Sequence, residues 1–209
     1  MCGFRDKDRR YGLTWTMRLR GMVDEVSVFG WRLRLERVLE FTPGQPGIAI
    51  RDVVRNLGGT PAPLMILYHC NFGWPLLSPD SEMTSPSTNI KPRDAAAEPG
   101  IHNWNRFDKS TPGYAEQVFF HYLDKSEKPL AASLVNKKLG FGVELSFDSR
   151  TLPVLTEWKQ MGHGEYVLGI EPGNSLPIGR VKARELSDLK MLAPDESVTF
   201  SLGFKIIPA

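Results

Sequence analysis

The chain has 209 residues, 41% apolar and 24% charged, with 19 glycines and 16 prolines, the balance of a globular protein rather than a fibrous or disordered one. Its 26 Lys and Arg against 24 Asp and Glu leave a formal charge of +2, too weak a field to favour nucleic acid or a membrane surface as partner. Cys2 and Cys70 show no CxxC spacing, which excludes a disulfide framework and a four-cysteine zinc site and points to a reducing cytoplasm; with no signal-peptide core and no apolar run of membrane length, secretion and membrane spanning are not expected.

Residues 1–20 carry six Arg or Lys and two Asp and read as a basic, solvated arm. From Val23 to Phe41 the sequence alternates. Leu33, Leu35, Leu39 and Phe41 share one parity while Arg32, Arg34, Glu36 and Glu40 take the other, as in a half-buried strand. After the break TPGQPG, a run from Ile48 ends in the turn signal Asn56-Leu57-Gly58-Gly59, and PLMILYHCNFGW then reads as a buried strand beside it. Residues 75–113, with prolines 75, 79, 86, 92, 99 and 112, read as one long loop, a lid or a mobile excursion. Trp104 and Phe107 within it favour a packed covering.

Short strands follow in AEQVFFHYLD, PLAASLVNKKLGFGVELSFD with a turn at Asn136 to Gly140, LPVLTEWKQM, EYVLGIEP and SVTFSLGFKII; only ARELSDLKML, residues 183–192, looks helical. Strands about ten residues apart with Gly and Pro between them predict an all-β sandwich, one domain over 21–209.

His69 sits in the apolar strand LMILYHCNFGW, where an imidazole taken alone is more often a hydrogen-bonded structural group than a catalyst. Glu171 ends the strand YVLGIE just before Pro-Gly-Asn, where a carboxylate can leave the sheet or simply cap a turn. Together they are the acid/base types that proton transfer near neutral pH needs. No GxSxG, HExxH, Walker or GxGxxG motif occurs, and His69, His102, His121 and His163 show no metal-ligand spacing. Trp74, Trp104 and Trp158 could stack on sugar rings, with Asn71, Gln117 and Lys159 bonding hydroxyls, although aromatic residues on strands are core material more often than ligand platforms.

Three segments, IRDVVRNLGGTPAPLMILYHCNFGWPLL (50–77), GYAEQVFFH (113–121) and LPVLTEWKQMGHGEYVLGIEPGN (152–174), resemble the aldose 1-epimerase (galactose mutarotase) superfamily, most closely its bacterial aldose-epimerase-like branch. The resemblance implies a β-supersandwich holding a monosaccharide on its concave face. It implies His69 and Glu171 as the catalytic pair, acting from opposite ends of the hemiacetal across a sugar-sized gap. Asn71, Trp74, Gln117, His121, Trp158 and Lys159 are then the expected substrate-binding residues, and no metal or nucleotide cofactor is implied.

Family members are usually longer, and residues 1 to about 20 do not match their N-terminal portion, so the chain is expected to lack the first strands. Three functions follow: an anomer-interconverting isomerase, a carbohydrate-binding protein without turnover, or a structural remnant whose exposed sheet edges pair with another copy. The scarcity of Arg and Lys near His69 and Glu171, Lys159 apart, argues against a phosphorylated sugar.

Overall fold

The computed structural model describes residues 15–186 and 188–209; most of the basic arm, residues 1–14, lies outside them. In chain order the strands are β1 Met17–Val26, β2 Arg32–Phe41, β3 Gly47–Asn56, β4 Ala62–Leu64, β5 Cys70–Gly73, β6 Ser81–Thr84 and β7 Asn89–Pro92. A 3-10 helix, Glu98–Asn103, precedes β8 Gln117–Tyr122, β9 Leu130–Asn136, β10 Phe141–Phe147, β11 Val154–Gly162 and β12 Glu165–Gly173. The helix α1, Arg180–Glu185, and strands β13 Lys190–Leu192 and β14 Ser197–Pro208 complete the chain. The all-β class expected from sequence is the class observed.

The chain divides into two compact units. The first runs to Leu64 and resumes at Leu189–Lys205. It holds an antiparallel meander in the order β1, β2, β3, β14, and the short pair β4 with β13. Its buried Asp52 is met by both nitrogens of an Arg37 fork at 2.9 and 2.7 Å, so the carboxylate retains the partner that burial of a charge demands. Asn56 builds the turn read from sequence: its side-chain oxygen accepts the Gly58 N–H at 2.9 Å.

The second unit, Met65–Asp188 with Ile206–Ala209, carries a 5-stranded antiparallel sheet in the order β5, β12, β11, β8, β7 and a further row β10, β9, β6. Phe119, Leu155, Leu168 and Ile170 are buried in the sheet, and Leu134, Leu145 and Phe147 in the row; each such side chain contributes roughly 1.5–3 kcal/mol. The β9–β10 hairpin turns at Asn136–Gly140 as predicted, with Gly140 at φ 77°, a left-handed position that suits glycine.

Four expectations are corrected. The alternation from Val23 to Phe41 is not one strand but the end of β1, a turn through Phe29 at φ 59°, and β2. The stretch read as PLMILYHCNFGW splits into β4 and β5, which pair with β13 and β12, while β3 lies between β2 and β14. Residues 75–113 are not one structureless loop but include β6, β7 and the 3-10 helix, and Phe107 packs into the core. The helix starts at Arg180, and Lys190–Leu192 is strand.

Candidate active site

The register of the 5-stranded sheet decides which side chains meet. Asn71 lies opposite Gly169, Gly169 opposite Trp158, and Trp158 opposite Val118. In the next row Glu171 lies opposite Thr156 and Thr156 opposite Phe120. The bridge of Leu67 to Gly173 and the pairing of Cys70 with Ile170 bracket His69 and set it opposite Glu171. Because side chains alternate between faces, these two rows project from the same side. From these rows His69, Glu171, Thr156, Trp158 and Val118 line a cleft of about 310 Å³ with Leu67, Arg93, Glu116 and Pro177, at the small end of the range for small-molecule sites, roughly 300–1,000 Å³.

The expected sugar-sized gap between the two catalytic candidates is absent: His69 Nε2 is 2.9 Å from Glu171 Oε1. Neighbouring strands hold them, and two contacts orient the imidazole. Its Nδ1 donates to Asn71 Oδ1 at 2.8 Å, and its edge meets the Trp158 indole at 5.4 Å between centroids. With the Nδ1 proton engaged, a neutral His69 presents a lone pair at Nε2, and a protonated one presents an N–H.

Glu171 is nearly sealed, with 4% of its side chain exposed against 48% for His69. Burial pushes its carboxyl up to about 7, and the charge of His69 opposes the shift. The contact is close but not aligned as a hydrogen bond, and Oε1 finds no hydrogen-bond partner among the described residues; nor does the neighbouring Thr156 Oγ1. An unsatisfied buried polar atom costs roughly 1–3 kcal/mol, a cost that a ligand hydroxyl can relieve. Gly169 creates the room, because a Cβ there would collide with the Glu171 carboxylate.

One wall was not foreseen. Glu116 accepts from Trp158 Nε1 at 2.8 Å and from Arg93 at 2.8 Å, and Arg93 also bonds Asp94 at 2.7 Å. Arg93 and Trp158 hold the Glu116 carboxyl below the usual range. The only sequence signal for Glu116 was its shared parity with Val118. Arg93 also overturns the apparent scarcity of cations near the pair, although Glu116 and Asp94 already engage its charge.

Trp158 therefore joins His69 and Glu171 in the cleft and Asn71 supports His69 from beside it, but the other expected residues do not. Trp74 lies away from the cleft, bordering a separate apolar pocket with Pro79, Lys109, Ser110 and Tyr166. Gln117, His121 and Lys159 have the opposite parity and project from the other face. Gln117 packs against Gly100 and donates to the Ala96 carbonyl at 3.4 Å. Lys159 is saturated by the carbonyls of Asn103, Trp104 and Arg106 at 3.1, 3.0 and 2.7 Å. His121 is wholly buried, with Nε2 3.1 Å from Glu157 Oε2 and Nδ1 3.0 Å from Ser85 Oγ. Among the described residues no group of three His, Cys, Asp or Glu could hold a metal ion, and no helix is long and apolar enough to cross a membrane.

The profile of DUF4432, a domain of unknown function, matches residues 8–206. The chain belongs to the DUF4432 family. No curated protein matches this DUF4432 chain, but solved structures do. A proposed aldose 1-epimerase from Klebsiella pneumoniae superposes with a TM-score of 0.88 at 31% identity, over 93% of this chain and 51% of its own. A galactose mutarotase-like protein from Clostridium acetobutylicum gives 0.66 at 16% identity, over 100% of this chain and 66% of its own. A proposed aldose 1-epimerase from Escherichia coli K12 gives 0.60 at 15%, over 100% and 68%. This DUF4432 chain thus has the β-supersandwich fold of the aldose 1-epimerase superfamily and spans about half the length of the Klebsiella relative.

Proposed function

We propose that this DUF4432 protein interconverts the anomers of a free aldose, with Glu171 and His69 as its proton-transfer pair. The observation that carries the reading is the buried, unbonded Oε1 of Glu171 on the cleft floor, 2.9 Å from His69 Nε2. The hydroxyl and the ring oxygen of a hemiacetal are attached to one carbon, so a donor and an acceptor that are themselves neighbours suit both.

The Glu171 carboxylate accepts the proton of the anomeric hydroxyl while protonated His69 gives its Nε2 proton to the ring oxygen. The bond from C1 to the ring oxygen breaks, and an aldehyde and a free hydroxyl result. Rotation about C1 to C2 presents the other carbonyl face. On reclosure His69 regains its proton from the attacking hydroxyl and Glu171 returns its proton to the carbonyl oxygen. Charge and protons balance, and no cofactor is required. Asn71 keeps the imidazole in register, Trp158 offers an indole face to the sugar, and Thr156 bonds a hydroxyl.

Polarimetry of freshly dissolved α-aldoses tests this. Wild type is expected to hasten the decay of rotation, and His69→Ala and Glu171→Gln to lose most of that gain; equal decay for all three would refute the reading. Sugar binding without turnover is a second reading, favoured by the 51% share of the Klebsiella relative that the match covers. Saturable binding with no faster anomer exchange selects it.

A further inference from the structure

Large exposed apolar side chains concentrate on one hairpin of the first unit: Leu19, Met22, Val23 and Val26 on β1, with Val28 and Phe29 in its turn. β1 stands at the end of its sheet with β2 as its partner among the described strands, and nine of its ten residues are exposed. A ten-residue edge with apolar side chains is a template for a further strand.

The residues of β1 indicate which strand fits. Leu19 and Val23 lie across from Leu39 and Leu35, which lie across from Ile50 and Val54, so one face of the meander carries an apolar stripe reaching the edge. Arg18 and Asp24 take the other face, paired along the sheet with Glu40 and Arg34. Gly21 is midway between Leu19 and Val23 and between Arg18 and Asp24.

We infer that β1 pairs antiparallel with β1 of a second copy of this chain, centred on Gly21. Leu19 of each copy then faces Val23 of the other and extends the apolar stripe across the junction. Arg18 of each faces Asp24 of the other, so two opposite-charge pairs form by symmetry. A centre moved by half a residue step would set Leu19 against Asp24 in one direction and Arg18 against Val23 in the other, and exchange the faces, so the pattern favours the register centred on Gly21.

Sedimentation of the full chain, with cysteine cross-linking, tests this. Wild type is expected to form a dimer whose population rises with concentration. Leu19→Glu should weaken it at least tenfold, and adding Val23→Lys to that variant should recover it, because the new charges face each other. In a Cys2→Ser, Cys70→Ser chain, Gly21→Cys should form an intermolecular disulfide far faster than Met22→Cys, since only the centre of symmetry faces itself. A Cβ at position 21 meets nothing within 4 Å, so this variant should fold. A wild type that stays monomeric at all concentrations would overturn the inference. So would cross-linking no faster at 21 than at 22, or a double variant no better associated than Leu19→Glu.

Discussion

The 5-stranded sheet carries two His–Glu pairs, one on each face. His69 and Glu171 are 2.9 Å apart, and His121 and Glu157 3.1 Å. The first is open to a cleft through a half-exposed imidazole. The second is closed: both side chains have 0% exposure, and Ser85, Ser87 and the edge of Trp104 cover the ring. Burial raises the pKa of both glutamates, so a shifted carboxyl beside a histidine does not by itself mark a site. Access distinguishes them, and the face onto which each strand turns its side chain decides access.

That contrast is testable. The largest effect is expected at the open pair, where Glu171→Gln or His69→Ala should slow anomer exchange by roughly 10²- to 10⁴-fold with little change in melting temperature. The closed pair should show the reverse. His121→Ala leaves a sealed carboxyl without its partner and should cost about 3–5 kcal/mol in urea unfolding, while fully folded protein keeps its activity.

The pH dependence follows from Glu171, whose carboxyl burial pushes up to about 7 in the folded protein, above the ordinary glutamate value of 4.5. The folded state therefore holds this proton more tightly than the unfolded chain. Its contribution to stability is full below about 4.5 and is lost as pH rises through 7. Under the proposed mechanism the rate runs the other way at this group, since the base is the ionised form. The rate should climb as pH rises towards 7, and pH–rate profiles beside pH-dependent melts should show the opposed trends.

Smaller effects refine the cleft. Gly169→Ala should displace the Glu171 carboxylate and lower the rate by roughly tenfold without unfolding the sheet, a fall of about 1.4 kcal/mol in transition-state stabilisation. Trp158→Phe removes the bond to Glu116 and should weaken sugar affinity by a few-fold, in keeping with about 1 kcal/mol for a hydrogen bond; titration calorimetry reads it.

Alternation and turn chemistry made most of the strands from Gln117 to Gly173 legible. They failed at the first hairpin because its turn carries the apolar Val28 and Phe29 and no Pro or Asn-Gly to mark it. They failed over 75–113 because β6 and β7 have four residues each, too few to display a period. At the candidate site, His69 and Glu171 were named through resemblance, whereas Arg93, Glu116 and Thr156 depended on cross-strand register. Trp158 and Lys159 are adjacent in one strand and so cannot share a face; parity alone separated them, as it separated Gln117 and His121 from Val118.

The most direct test is anomer exchange measured by NMR near pH 7 on folded wild type, Glu171→Gln and Glu157→Gln. The account predicts faster α-to-β exchange with wild type and with Glu157→Gln, and its loss with Glu171→Gln alone. Exchange that survives Glu171→Gln, or that wild type never accelerates, would contradict it.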